Sequence, residues 1–219
     1  MRRLHAVGIR EKFWASGVYI HDAYIPDDED PDDGYPDWNI RTQWTIHEVG
    51  DGARLVRMDI DYEETGFILS EALIEPDGTI SRYMREGFVT GKPRQKYTYT
   101  LDEKGLLILY SGGADTKEEF IEMPADTMLV CPQWLLEGFA WHTWIQQPNR
   151  RLFRLSSNKF EERETPNYWT EMLKFRGQEV ETVRVVNYFT SFWLDPHGIA
   201  LKIEDDGNDY DLTQFALAR

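Results

Sequence analysis

The chain has a single cysteine, Cys131, among its 219 residues. That excludes an intramolecular disulfide and any cysteine-clustered zinc or iron–sulfur centre. Basic residues are also scarce: 24 Lys and Arg face 39 Asp and Glu, for a formal net charge of -15. They are scattered along the chain, so no cationic face for nucleic acid or an anionic membrane is expected. Long apolar runs are missing. The stretch behind Arg2 and Arg3 stops at Arg10-Glu11-Lys12, too short for a signal-peptide core, and nothing approaches the length of a membrane span. A cytoplasmic protein without membrane insertion is the expectation.

Motifs that announce chemistry are absent as well. The 5 histidines (His5, His21, His47, His142 and His197) contain no i,i+4 pair and no HExxH pattern. No glycine-rich loop cradles phosphate, and no Gly-x-Ser-x-Gly elbow presents a nucleophile. The acidic run from Asp27 to Asp33 holds alternating carboxylates, but Gly34 comes one place late for a calcium loop and Asn39 stands where the bidentate Glu belongs. It reads as a solvated loop. No metal and no cofactor are expected.

What is present is alternation of apolar and polar side chains. Val56, Met58, Ile60 and Tyr62 oppose Arg57, Asp59, Asp61 and Glu63, the period-2 signature of a half-buried strand. Similar segments follow at Phe67–Ile74, Ile80–Arg85, Tyr97–Leu101, Leu106–Tyr110 and Phe120–Met123. Pro76-Asp77-Gly78, Glu103-Lys104-Gly105 and Gly112-Gly113 mark turns between them. Pro132–Phe139 breaks the rhythm and predicts a short helix, with Pro132 at its permissive start and Gly138 near its stop. Trp141–Gln147 then reads as a strand again. From Val183, one long strand to Leu194 is expected, with Val183, Val185, Asn187, Phe189, Ser191 and Trp193 on one face. Asp195-Pro196-His197-Gly198 turns the chain, and Ile199, Leu201 and Ile203 alternate with Ala200, Lys202 and Glu204 on the return. Roughly ten strands at this spacing predict a mainly β protein. The expected form is a single strongly curved antiparallel sheet, a half-barrel or open barrel, with one or two short helices on its concave face. No repeat or composition shift divides the chain, so one domain is expected over residues 1–219.

The ending Trp193-Leu194-Asp195-Pro196-His197-Gly198-Ile199-Ala200-Leu201-Lys202-Ile203-Glu204, with the turn and strand Gly177-Gln178-Glu179-Val180-Glu181-Thr182-Val183 before it, resembles the half-barrel of bacterial lipoprotein-carrier proteins, the LolA/LolB-like group and its uncharacterised relatives. The likeness covers mainly the last third of the chain. It implies a curved sheet with an apolar cavity plugged by helices. Those carriers are exported, whereas here no leader or lipobox cysteine is read, so lipoprotein transport is not implied.

Candidate site residues follow from chemistry. Eight Trp, 11 Tyr and 11 Phe can wall a pocket while offering polar handles. Tyr97, Tyr99, Trp134, Trp144, Tyr188 and Trp193 are the expected ligand-binding set. If the chain is an enzyme of the isomerase, cyclase or lyase type, His142, Glu137 and Tyr188 are the candidate proton-transfer groups. Cys131 as a nucleophile would need a neighbouring base and a depressed pKa. The first expectation is a small-molecule-binding or carrier protein holding an apolar or aromatic ligand. An enzyme using the same cavity and a protein-interaction domain pairing through an open sheet edge are the alternatives, with a homodimer left open.

Overall fold

The computed structural model describes residues 11–22, 40–62, 66–160, 166–187, 189–205 and 208–218. The acidic run 27–33 and Tyr188 lie outside the described residues. Eight strands form a continuous antiparallel meander: β1 (Lys12–Asp22), β2 (Arg41–Val49), β3 (Ala53–Asp61), β4 (Gly66–Ile74), β5 (Ile80–Val89), β6 (Gln95–Asp102), β7 (Gly105–Gly112) and β8 (Asp115–Glu122). A second meander follows near the C-terminus: β12 (Asn167–Phe175), β13 (Gln178–Asn187), β14 (Thr190–Leu194), β15 (Ala200–Asp205) and β16 (Asn208–Leu217). The last strand pairs with the first, so the two meanders fuse into one 13-stranded sheet running from β12 to β8. The sheet curves strongly but does not close, and β8 and β12 remain its edges.

Residues 123–166 connect those two edges and carry the remaining elements. These are β9 (Thr127–Val130), helix α1 (Trp134–Gln146), β10 (Arg151–Arg154) and β11 (Lys159–Phe160), with β9 and β10 paired in parallel. The helix is buried along most of its length between the concave face of the large sheet and this small sheet. Its core positions Leu135, Leu136, Phe139, Ala140, Thr143 and Trp144 recur at helical spacing. All but Thr143, which faces the turn at Gly78, pack with concave-face residues such as Ile46, Val56, Ala72, Phe192 and Ile203 in one apolar cluster. Glycine makes the closest approaches possible. Trp44 lies across Gly17, where a β-carbon would sit 2.3 Å from its ring. A β-carbon on Gly138 would stand 3.2 Å from the Gly198 carbonyl oxygen, so the helix rests directly on the β14–β15 hairpin.

Three expectations from the sequence are corrected. Trp141–Gln147 is not a strand: α1 continues to Gln146, and Gly138 is a mid-helix contact rather than a stop. Trp141 and Trp144, three residues apart, share a helical face and meet edge to face with centroids 6.4 Å apart. The expected long strand Val183–Leu194 is a hairpin, with Val185 opposite Phe192 and Asn187 opposite Thr190. The alternation continued through the reversal because strand residues flank it on both sides and no glycine or proline marks it. The described residues hold sixteen strands rather than about ten; the unexpected ones include the second arm of this hairpin, the short strands β9 and β11 of the insertion, and the C-terminal strand β16.

Candidate functional site

The concave wall opposite the hairpin is built from alternate residues of β4, β5 and β6. Register places Tyr83 across from Ala72 and Tyr99, and Arg85 across from Ser70 and Tyr97. Tyr97 and Tyr99 lie on one strand, two residues apart, with rings nearly parallel and centroids 6.3 Å apart. Tyr83 stacks on Tyr99 at 5.7 Å, and Tyr110 of β7 lies 4.8 Å from Tyr97. The four rings contact one another along the sheet instead of reaching across it. Space is therefore left in front of them.

That space is a cavity of about 460 Å³, walled by Tyr83, Tyr97 and Tyr99 and covered by Leu155, Ser156 and Asn158 from the β10–β11 turn. Asn158 holds a left-handed backbone (φ 52°), tolerated best by Asn among side-chain-bearing residues. A second cavity of about 110 Å³ lies towards the start of α1, lined by Tyr19, Met58, Ile60, Trp134 and Tyr210 among others. Ile68, Arg85 and Pro132 line both, so the two meet at the Arg85 side chain. Tyr83 donates its hydroxyl to Gln133 Oε1 at 2.6 Å, tying the wall to the residue that precedes the helix. Burial raises the hydroxyl pKa of Tyr62, Tyr83 and Tyr99, and the Arg85 guanidinium opposes that rise at all three. These phenols stay protonated at neutral pH.

A different pocket opens at the other end of the helix. About 260 Å³ lies between α1 and the turns at Pro76-Asp77-Gly78 and Pro196-His197, with Arg54 and His142 in its lining. His142 is half-buried, and its Nε2 sits 2.9 Å from Gln146 Nε2. Burial lowers its pKa, the nearby Asp195 carboxylate opposes this, and Arg54 and His197 lower it further. Asp195 Oδ1 accepts the backbone N–H groups of His197 (2.9 Å) and Ile199 (2.8 Å), which fixes the hairpin turn. Burial raises the Asp195 pKa more than those bonds lower it.

The expected site residues separate into groups. Tyr97 and Tyr99 wall the larger cavity and Trp134 lines the smaller one. Trp144 is core against Trp141 and lines none of these three pockets. Trp193 is buried on the opposite face of the sheet, between Arg184 (4.4 Å from its ring centroid) and Lys202 (5.2 Å), and donates its indole N–H to Glu171. Glu137 accepts from Trp141 Nε1 at 3.3 Å and pairs with Arg154 at 3.1 Å. Five residues along a helix is about 140° of rotation, so Glu137 and His142 point apart and form no pair. Burial pushes the Cys131 thiol pKa well up and the Glu137 carboxylate adds to it, so the sulfur is held as a neutral thiol. Arg85 was not singled out from the sequence. The signal was there: period 2 puts it on the Tyr83 face, the one charged residue in the row Ser81, Tyr83, Arg85, Gly87 and Val89.

Among the described residues no group of three or more His, Cys, Asp or Glu side chains is placed to hold a metal ion. No described helix is long and apolar enough to cross a membrane. The fold is thus of the open, β-barrel-like class. It is similar to the crystal structure of a beta-barrel-like protein of the domain of unknown function DUF1849 from Brucella abortus, with a TM-score of 0.50 and 12% identity over 98% of this chain and 100% of the other. At that identity the likeness concerns the fold alone. No family model matches the chain, and no curated protein matches it.

Proposed function

We propose that the protein binds and carries a small molecule with an apolar or aromatic body in the hollow of its curved sheet. The observation behind this reading is the cavity of about 460 Å³ in front of the tyrosine wall. Its size falls within the range of small-molecule sites, roughly 300–1,000 Å³, and its tyrosine wall faces polar groups, among them Arg85, Gln95 and Asn158, that can fix a ligand's orientation. Ligand binding there calls for no rearrangement of the β14–β15 side, where the helix is already seated. Binding without turnover is favoured over proton-transfer catalysis because Glu137 is engaged by Trp141 and Arg154, away from His142. Native mass spectrometry of protein purified from its own host tests the reading. A retained mass that disappears in a Tyr97→Ala, Tyr99→Ala variant is the expected result. Protein that carries nothing and takes up no apolar or aromatic probe would end the proposal.

A further inference from the structure

Among the described residues, the other buried or half-buried arginines each have a carboxylate or an aromatic ring as partner. Arg57 pairs with Glu11 (2.8 Å) and Glu71 (3.2 Å), Arg150 with Asp77 (2.6 Å) and Arg154 with Glu137 (3.1 Å), while Arg54 lies 4.1 Å from the centroid of the Trp14 ring. Arg85 differs. Among the described residues it has no hydrogen bond and no ion pair, although it stands where the two concave-face cavities meet. Its neighbour in sequence, Glu86, turns to the other face of β5 and is taken by Arg94. In a chain with 39 acidic residues, the described lining of both cavities contains neither Asp nor Glu. The surrounding phenols stay neutral and supply no counter-charge. Lys92, at the rim of the larger cavity, adds to the positive potential.

A half-buried guanidinium without an acceptor leaves planar donors unsatisfied, and a carboxylate matches their geometry with two parallel hydrogen bonds. Exclusion of acidic side chains from the lining also removes the repulsion an anionic ligand would meet on entering so acidic a protein. We propose that the cavity takes an organic carboxylate, its carboxyl group on Arg85 and its apolar body against Tyr97 and Tyr99. This rests on the binding reading above and narrows it to one chemical class.

Isothermal titration with matched probes tests it: 1-naphthoate against the neutral 1-naphthylmethanol, and decanoate against decanol. The wild-type protein should prefer the carboxylate of each pair by about tenfold or more, as one charge-assisted bidentate contact implies. In Arg85→Met the preference should vanish while the alcohols bind as before, and Arg85→Lys should keep part of it. Lys92→Gln should weaken carboxylate binding less than either change at Arg85. Alcohols binding as well as carboxylates to the wild type would overturn the carboxylate assignment and leave the cavity reading standing. Failure of all four probes to bind would remove both. The wild-type comparison decides the matter even if an Arg85 variant does not fold.

Discussion

The insertion that covers the concave face meets the large sheet in two opposite ways: helix α1 packs against β14 and β15, whereas Pro132 and the β10–β11 turn stand over β5 and β6. Towards β14 and β15 the contact is solid: Gly138 sits against the Gly198 carbonyl, Phe192 is fully buried, and Leu194, Ala200 and Ile203 fill the remaining space. Towards β5 and β6 the side chains are larger, yet a hollow remains. Large residues do not by themselves fill a core. Tyr83, Tyr97, Tyr99 and Tyr110 spend their area on one another along the wall, while Phe192 spends its area on the helix residue Trp134 across the gap, at 6.0 Å between centroids. One side therefore carries stability and the other is free to carry a ligand.

Substitutions can break that contrast. Phe192→Ala should cost on the order of 3–5 kcal/mol in denaturant unfolding, because no neighbour can collapse into a site pinned between sheet and helix. Next comes Gly198→Ala. It forces a side chain onto a φ of 85° and brings a β-carbon within 3.0 Å of His142 Cβ, and a loss of about 1–3 kcal/mol is expected. Tyr97→Ala should cost only about 1 kcal/mol, being a half-exposed wall residue, while sharply weakening uptake of aromatic probes. Should Tyr97→Ala destabilise the protein as much as Phe192→Ala, the hollow is filled and the contrast is gone.

The smallest expected effect is a pH dependence at the helix end. The folded-state pKa of His142 lies below its ordinary value of 6.5, so between the two values the unfolded chain binds more protons than the native one. Stability should therefore fall as pH drops from about 6.5 through the folded pKa, and level off below it. Asp195, raised above 3.8, acts the other way: its share is full below that value and is lost as pH rises through its folded pKa. In His142→Gln the slope just below pH 6.5 should flatten. An unchanged slope would remove His142 as its source.

The strand content and the curved antiparallel sheet were legible in the sequence because period 2 survives wherever one face is buried. Val56, Met58 and Ile60 against Arg57, Asp59 and Asp61 read correctly for that reason, and Tyr97 and Tyr99 were placed together on one face. Reading failed where two geometries share a pattern. The aromatic run from Trp141 to Trp144 suits a strand buried on both faces as well as a buried helix, and the burial of Leu135, Leu136, Phe139 and Ala140 on the same helix decides between them. The turn at Asn187–Thr190 carried no glycine, so a hairpin passed for one strand. Trp193 shows the remaining blind spot. Alternation separates two faces without saying which is concave, and its neighbour Arg184 lies on a strand that the sequence pattern runs together with its own. Arg85 required the same cross-strand knowledge, since its isolation from acids depends on which residues of β4 and β6 stand opposite.

The pairing of β16 with β1 has a consequence for biogenesis. Each meander can zip up locally as it leaves the ribosome, but β1 keeps an unsatisfied flank until β16, some two hundred residues later, arrives to cover it. So distant a closing contact slows folding and prolongs the exposure of a sticky strand edge. The emerging chain would gain from shielding of β1 by a chaperone, and the last ten-residue strand acts as the latch that ends that need.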